Sequence, residues 1–287
     1  MMNNLDIPTR AFIALRKHFF DDDMNPTDFF LRPKKNTQDD PLDEYIAASI
    51  FSVLKLECHR SGPLVSPDIV LFDAAKNVDG DNTNSILAIE LKRVSRTSSG
   101  AVSRASSIDY NSTPPCGKVR VYNNKTPLDI RSFYLFVCSE NPFGDSARTR
   151  ITAMSLVDGN LLNENFSFYL SVTGERKKKI GLGSFGDGID RARPMITFPN
   201  PLGVRGFDKA ATLIHPDHTL ADKDKNIQMV NIIERVKRDG TVRSFYCYRL
   251  AGDMPVDSDV AYLGDPFEIP DNRNTKTKQR GKFNISI

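Results

Sequence analysis

The chain has 287 residues, of which 39% are hydrophobic and 26% charged, with a formal net charge of +3. That balance belongs to a folded chain with a sizeable core and excludes a disordered or strongly polyanionic one. The four cysteines, Cys58, Cys116, Cys138 and Cys247, form no CxxC pair and are read as reduced thiols, which argues against a disulfide scaffold or a cysteine zinc site. Apolar runs all fall short of the roughly 20 residues that span a bilayer. Charges interrupt the apolar stretches near the start, so no secretory signal is read and a cytoplasmic location is expected, with no membrane partner.

RAFIALRKHFF spaces Phe12, Ile13, Leu15, Phe19 and Phe20 as a short amphipathic helix does, and Asp21-Asp22-Asp23 ends it as a solvated loop. From Asn25 to Asp40, proline, asparagine, aspartate and lysine dominate, and the stretch reads as a loop. Asp40 and Pro41 then give an N-cap and a first helical residue for LDEYIAASIFSVLKLE, with Leu42, Ile46, Ile50, Val53 and Leu54 toward the core. Glu44 lies in the first turn, where the helix dipole favours a carboxylate.

The chain is organised around SPDIVLFDAAKNVDGDNTNSILAIELKRV, Ser66 to Val94. Two apolar runs flank NVDGDNTN, a segment of turn-forming residues, and read as the strands of one hairpin. Because side chains alternate along a strand, Glu90 and Lys92 share one face while Leu87, Ile89 and Leu91 point into the core. Asp68, on the neighbouring strand, can approach them. Two carboxylates beside one lysine suit Mg²⁺, which takes one or two carboxylates and leaves its other positions to water and substrate phosphate.

After the hairpin, the serine-rich stretch from Arg96 to Asn124 carries hydroxyls and, with Arg93 just before it, the cations Arg93, Arg96, Arg104, Lys118 and Arg120, all suitable donors to phosphate oxygens. RSFYLFVC (131–138) is the strongest buried-strand signal and RITAMSLV (150–157) the next, with NFSFYLSV (165–172) read as strand or helix. Gly181 to Gly186 matches GxGxxG but lacks the strand before and the helix after that dinucleotide binding requires. His215 and His218, without cysteines nearby, read as a polar turn. The basic run Arg176 to Lys179, including Lys177 and Lys178, reads as a helix end or a phosphate-tracking patch. RSFYCYRL, following the turn at Asp239-Gly240, reads as another strand. The tail is rich in Lys and Arg. Together these elements predict an α/β (α+β) chain with a central mixed β-sheet flanked by helices. A single domain over 1–287 is expected, with an N-terminal helical segment 1–35 and a basic tail 271–287.

Pro67-Asp68 with Glu90-Leu91-Lys92 resembles the active-site signature of the PD-(D/E)XK nucleases. The helix DEYIAASIF, AIELKRV, YNSTPPCGKV, FYLFVCSENP, NFSFYLSVTGERKKKIGLG and RARPMITFPNPLGVRG together resemble the NgoPII group of type II restriction endonucleases over most of the chain. The resemblance implies a PD-(D/E)XK fold and Mg²⁺-dependent cleavage of double-stranded DNA at a short palindrome, leaving 5′-phosphate and 3′-hydroxyl ends. It further implies a homodimer and a cognate DNA methyltransferase as genetic partner. Asp68 and Glu90 are then the metal ligands and Lys92 the residue that orients the attacking water, with Glu44 a fourth member. Asn111, Ser112 and Lys118 match the polar segment after the catalytic lysine and are candidate DNA contacts. Two other readings remain open: a structure-specific repair or recombination nuclease of the same fold, and a non-catalytic DNA-binding protein in which Asp68 and Glu90 are structural.

Overall fold

In the computed structural model the described residues are 4–36, 39–62, 65–76, 83–104, 108–109, 116–144, 147–162, 197–198, 200–203, 206–209, 211–236, 241–253 and 284–285. Helix α1 (Ile7–Phe19) starts at Asp6, whose side chain accepts from the Thr9 N–H, and carries Arg16, Lys17 and His18 in its last turn, where cations favour the dipole. The five apolar residues expected to face inward are buried. Burial goes further than an amphipathic stripe, however: Arg10 and Arg16 are buried too, each held by a carboxylate, Asp73 at 2.6 Å and Asp253 respectively. A charge is tolerated inside only when it is paired in this way.

The acidic triplet is exposed, as expected, with Asp21 accepting from the backbone of Asp23 and Asn25. The stretch read as a loop contains one short strand, β1 (Asp28–Phe30). Helix α2 (Pro41–Leu54) begins at Asp40, which accepts from the Leu42 N–H at 3.1 Å, and stops where Lys55 turns left-handed at φ 55°. Leu42, Ile46 and Ile50 are buried as the spacing predicts. Val53, expected in the core, is 49% exposed, because Ile46 and Ile50 fix the inward stripe and Val53 falls in the last turn beyond it.

The hairpin forms. β2 (Glu57–Arg60), β3 (Ile69–Phe72) and β4 (Ile86–Ser95) run as an antiparallel meander, with Ile69 opposite Ile89 and Phe72 opposite Ile86. β5 (Ile108–Asp109) pairs apart from it with β9 (Thr197–Phe198). β6 (Lys118–Asn123) turns into β7 (Thr126–Glu140), a 15-residue strand holding the RSFYLFVC segment. β7 lies parallel to β4 on one side and antiparallel to β8 (Arg148–Asp158) on the other, so residues 132–139 are buried throughout.

β8 is followed across the sheet by β10 (Ala211–His215), parallel to it, then β12 (Val242–Leu250) and β11 (Ile227–Val236), both antiparallel to their neighbours. The short helix α3 (Leu220–Lys223) links β10 to β11. β13 (Asn284–Ile285), inside the basic tail, pairs with β6. Eleven of the described strands thus belong to one mixed sheet. α1 and α2 pack on one face over Ile69, Leu71, Leu87, Ile89, Leu91, Phe133 and Leu135. Tyr134, Phe136, Cys138, Phe245 and Cys247 form the other face with Leu202 and Phe207. An irregularity opposite Cys138 and Ser139 lets β8 send Ile151 to the helical face and Ala153 to the other, two residues apart.

The cysteines are free, with Cys116, Cys138 and Cys247 buried and Cys58 half-buried. Burial pushes the Cys247 thiol up to about 12, which leaves it inert at neutral pH. Among the described residues no helix is long and apolar enough to cross a membrane.

Candidate active site

Past the Ile69 and Ile89 pair the hairpin brings Asp68 beside Glu90 and Leu91. Oδ2 of Asp68 accepts the Leu91 N–H at 2.6 Å. Glu90 holds Ser66 Oγ on one oxygen at 2.9 Å and the Lys92 ammonium on the other at 3.0 Å. Leu87, Ile89 and Leu91 point the other way into the helical core, as the alternation predicts. On the opposite side β7 sets Tyr134 beside Glu90 and Phe136 beside Lys92, so the pair lies over aromatic residues, with side chains only 17% and 11% exposed. The sequence-predicted trio therefore converges.

The residue of α2 turned toward this trio is Asp43 and not Glu44, which was expected there as a fourth member. Glu44 turns outward from α2, where its carboxylate takes Arg32 at 2.8 Å and Arg60 at 3.3 Å, and those cations hold its pKa down. Asp43, one residue earlier, is turned inward within electrostatic reach of Glu90 and Lys92. The signal was in the helix period. Asp43 stands three, four and seven residues before Ile46, Ala47 and Ile50, all buried, whereas Glu44 precedes the exposed Ala48 and Phe51 by four and seven.

Burial, reinforced by the charges of Asp40 and Glu90, pushes the Asp43 carboxyl up to about 7. Burial and the charge of Glu90 likewise raise Asp68 well above the usual carboxylate range. For Lys92 burial works against the ammonium, but Glu90 and Asp68 outweigh it and keep its pKa above the ordinary lysine value. Three carboxylates thus crowd one lysine, with Arg60 as a second counterion to Asp43. A divalent cation beside Asp68 and Glu90 relieves that crowding, so the donor set fits magnesium. Among the described residues no three His, Cys, Asp or Glu side chains stand in a ligating arrangement. Two carboxylates, with water and substrate at the other positions, make a shell that magnesium commonly takes.

The candidate DNA contacts divide. Arg93 Nε donates to Ser139 Oγ at 2.8 Å, and its Nη1 lies 3.6 Å from Asp40, tying β4 to the start of α2. Arg96 donates to Thr152 Oγ1 at 2.9 Å and to the Asp208 carbonyl. Arg120 is bound bidentately through Nε and Nη2 to the two oxygens of Asp129, at 2.7 and 2.8 Å. These three are used in part within the fold. Lys118 and Arg104 are exposed. Asn111, Ser112, Lys177, Lys178, the NFSFYLSV segment and the GxGxxG stretch lie outside the described residues.

His215 is a core residue with its hydrogen bonds made. Its Nδ1 accepts the Asp217 N–H at 3.0 Å, which leaves Nε2 to donate to Asp6 at 2.9 Å. His218 packs against the Tyr246 ring instead.

Comparison with protein-family models, with curated proteins and with solved structures finds no match for the chain.

Proposed function

We propose that this chain is a Mg²⁺-dependent endonuclease of the PD-(D/E)XK type that cleaves double-stranded DNA, working as a homodimeric type II restriction enzyme at a short palindrome. The convergence of Asp68, Glu90 and Lys92 on one buried face of the hairpin carries the reading. The resemblance of the surrounding segments to the NgoPII group supplies the restriction-enzyme part of it. When bound, magnesium lowers the pKa of a coordinated water and neutralises charge on the phosphate.

Asp68 and Glu90 would hold that ion. Asp43 stands at the same wall, its carboxyl raised by burial to about 7, and would add negative charge there once ionised. Lys92 stays an ammonium. It therefore acts as a hydrogen-bond donor that orients the water or a phosphate oxygen, held in place by Glu90, and not as the base. A two-fold dimer sets one such site against each strand of the duplex.

The test is incubation of the purified protein with phage-length duplex DNA, in Mg²⁺ and in EDTA, beside Asp68→Ala and Lys92→Ala. Discrete fragments that need Mg²⁺ and vanish in both variants are the expected result. Nicking only at branched or gapped DNA points to a repair-type nuclease. DNA that is shifted but intact, equally with and without metal, overturns the catalytic reading.

A further inference from the structure

An open pocket of roughly 180 Å³ adjoins the acids. Asp43 and Asp68 line it, and so do Lys35, Arg60, Ser61 and Gly62, with Arg60 within electrostatic reach of Asp43. The other two carboxylates on the wall are already committed. Asp39 takes Arg32 at 2.5 and 2.8 Å and the Lys35 N–H at 2.8 Å, and Asp40 caps α2.

The cations are less committed. Arg60, at the end of β2, gives Nη1 to Glu44 at 3.3 Å and is otherwise exposed, and no salt bridge engages the Lys35 ammonium among the described residues. Gly62 has nothing within 4 Å of where a side chain would begin, so ligand can approach the backbone there. A pocket lined by two carboxylates of the site and also by a guanidinium and a lysine offers partners to a cation and to an anion side by side.

Resting on the nuclease reading above, we infer that this pocket takes a backbone phosphate of the DNA next to the scissile one, and that Arg60 and Lys35 hold it. Such contacts position the duplex without reading its sequence, because every phosphate looks alike. Arg60, pinned on its strand and steered by Glu44, presents the planar fork suited to phosphate oxygens, while Lys35 adds a mobile point charge.

The test uses the full chain and fluorescence anisotropy of a short mixed-sequence duplex, without Mg²⁺ so that nothing is cut, over a series of salt concentrations. Each phosphate contact contributes about one unit to the slope of log affinity against log salt. Arg60→Ala and Lys35→Ala are each expected to weaken binding and to lower that slope by about one. Arg60→Lys keeps a charge and is expected to restore most of the slope, which separates loss of a phosphate contact from damage to the fold. Binding with an unchanged slope in both alanine variants overturns this assignment and leaves the nuclease reading standing. Absence of DNA binding by the unaltered chain overturns that reading and this one with it.

Discussion

Asp6, His215 and Arg131 make one partly buried polar cluster; Asp43, Asp68, Glu90 and Lys92 make another, and similar residues are balanced in opposite ways. Around Asp6 each oxygen has its donors. Oδ1 takes the Thr9 hydroxyl at 2.6 Å and Oδ2 takes Arg131 and His215, both at 2.9 Å. Burial alone would raise this carboxyl, but the His215 hydrogen bond and the charges around it hold it well below the usual range. In the hairpin cluster burial acts on more carboxylates than cations, and Asp43 and Asp68 move up instead. The first arrangement joins the start of α1 to β7 and β10 and is complete as it stands. The second leaves an excess of negative charge that stability alone does not call for, the pattern found where side chains await a ligand.

The largest expected effect separates the two by chemistry. Lys92→Ala lowers DNA cleavage by about 10² to 10³-fold, the usual range for losing a positioned hydrogen-bond donor, and also lowers the melting temperature because Glu90 is left buried without its cation; rates taken well below the melting temperature and thermal scans on the same samples separate the two effects. His215→Ala lowers stability without touching the cleavage chemistry. It removes a side chain that is 2% exposed and strips Asp6 of a donor, so urea unfolding registers a loss of about 2 to 4 kcal/mol.

The pH dependence of stability without metal has two limbs of opposite sign. Asp6 has a folded pKa below its unfolded one, so its contribution is complete above about pH 4 and is lost as the pH falls further. Burial puts the Asp43 carboxyl at about 7 when folded, against 3.8 for a free aspartate side chain, so between those values the folded chain holds a proton that the unfolded chain has released, and stability declines as the pH rises. Asp43→Asn is expected to shrink that second limb, to which the raised Asp68 also contributes, and to leave the acid limb unchanged, read from unfolding midpoints across pH. The smallest effect belongs to Glu44→Gln, on the outward side of α2, which is expected to change cleavage by no more than about twofold.

Much of this arrangement was legible in the residues. Turn chemistry between two apolar runs gave the hairpin, alternation gave the shared face of Glu90 and Lys92, and Asp40-Pro41 gave the start of α2. What escaped was decided by rotation and by competition. Asp43 and Glu44 differ by one residue, about 100° around a helix, and the choice follows only when each is matched to the buried stripe. Arg93, Arg96 and Arg120 looked like donors for DNA because a cation in a polar stretch shows no partner; Ser139, Thr152 and Asp129, which bind them, lie on strands brought alongside by the sheet. Three residues of β1 inside a proline-rich stretch carry too short a pattern to register, and β8 rather than local sequence makes them a strand.

The measurement that bears most directly on the crowded acids is the melting temperature of the unaltered chain and of Asp68→Asn, each with and without Mg²⁺ at neutral pH. A cation that binds only the folded chain raises its melting temperature by an amount that grows with the logarithm of its concentration over its dissociation constant. Mg²⁺ is expected to stabilise the unaltered chain, Asp68→Asn to be the more stable of the two without metal, and the variant no longer to respond to Mg²⁺. An unaltered chain indifferent to Mg²⁺, with Asp68→Asn less stable than it, would contradict the claim that this hairpin is built to hold a metal ion.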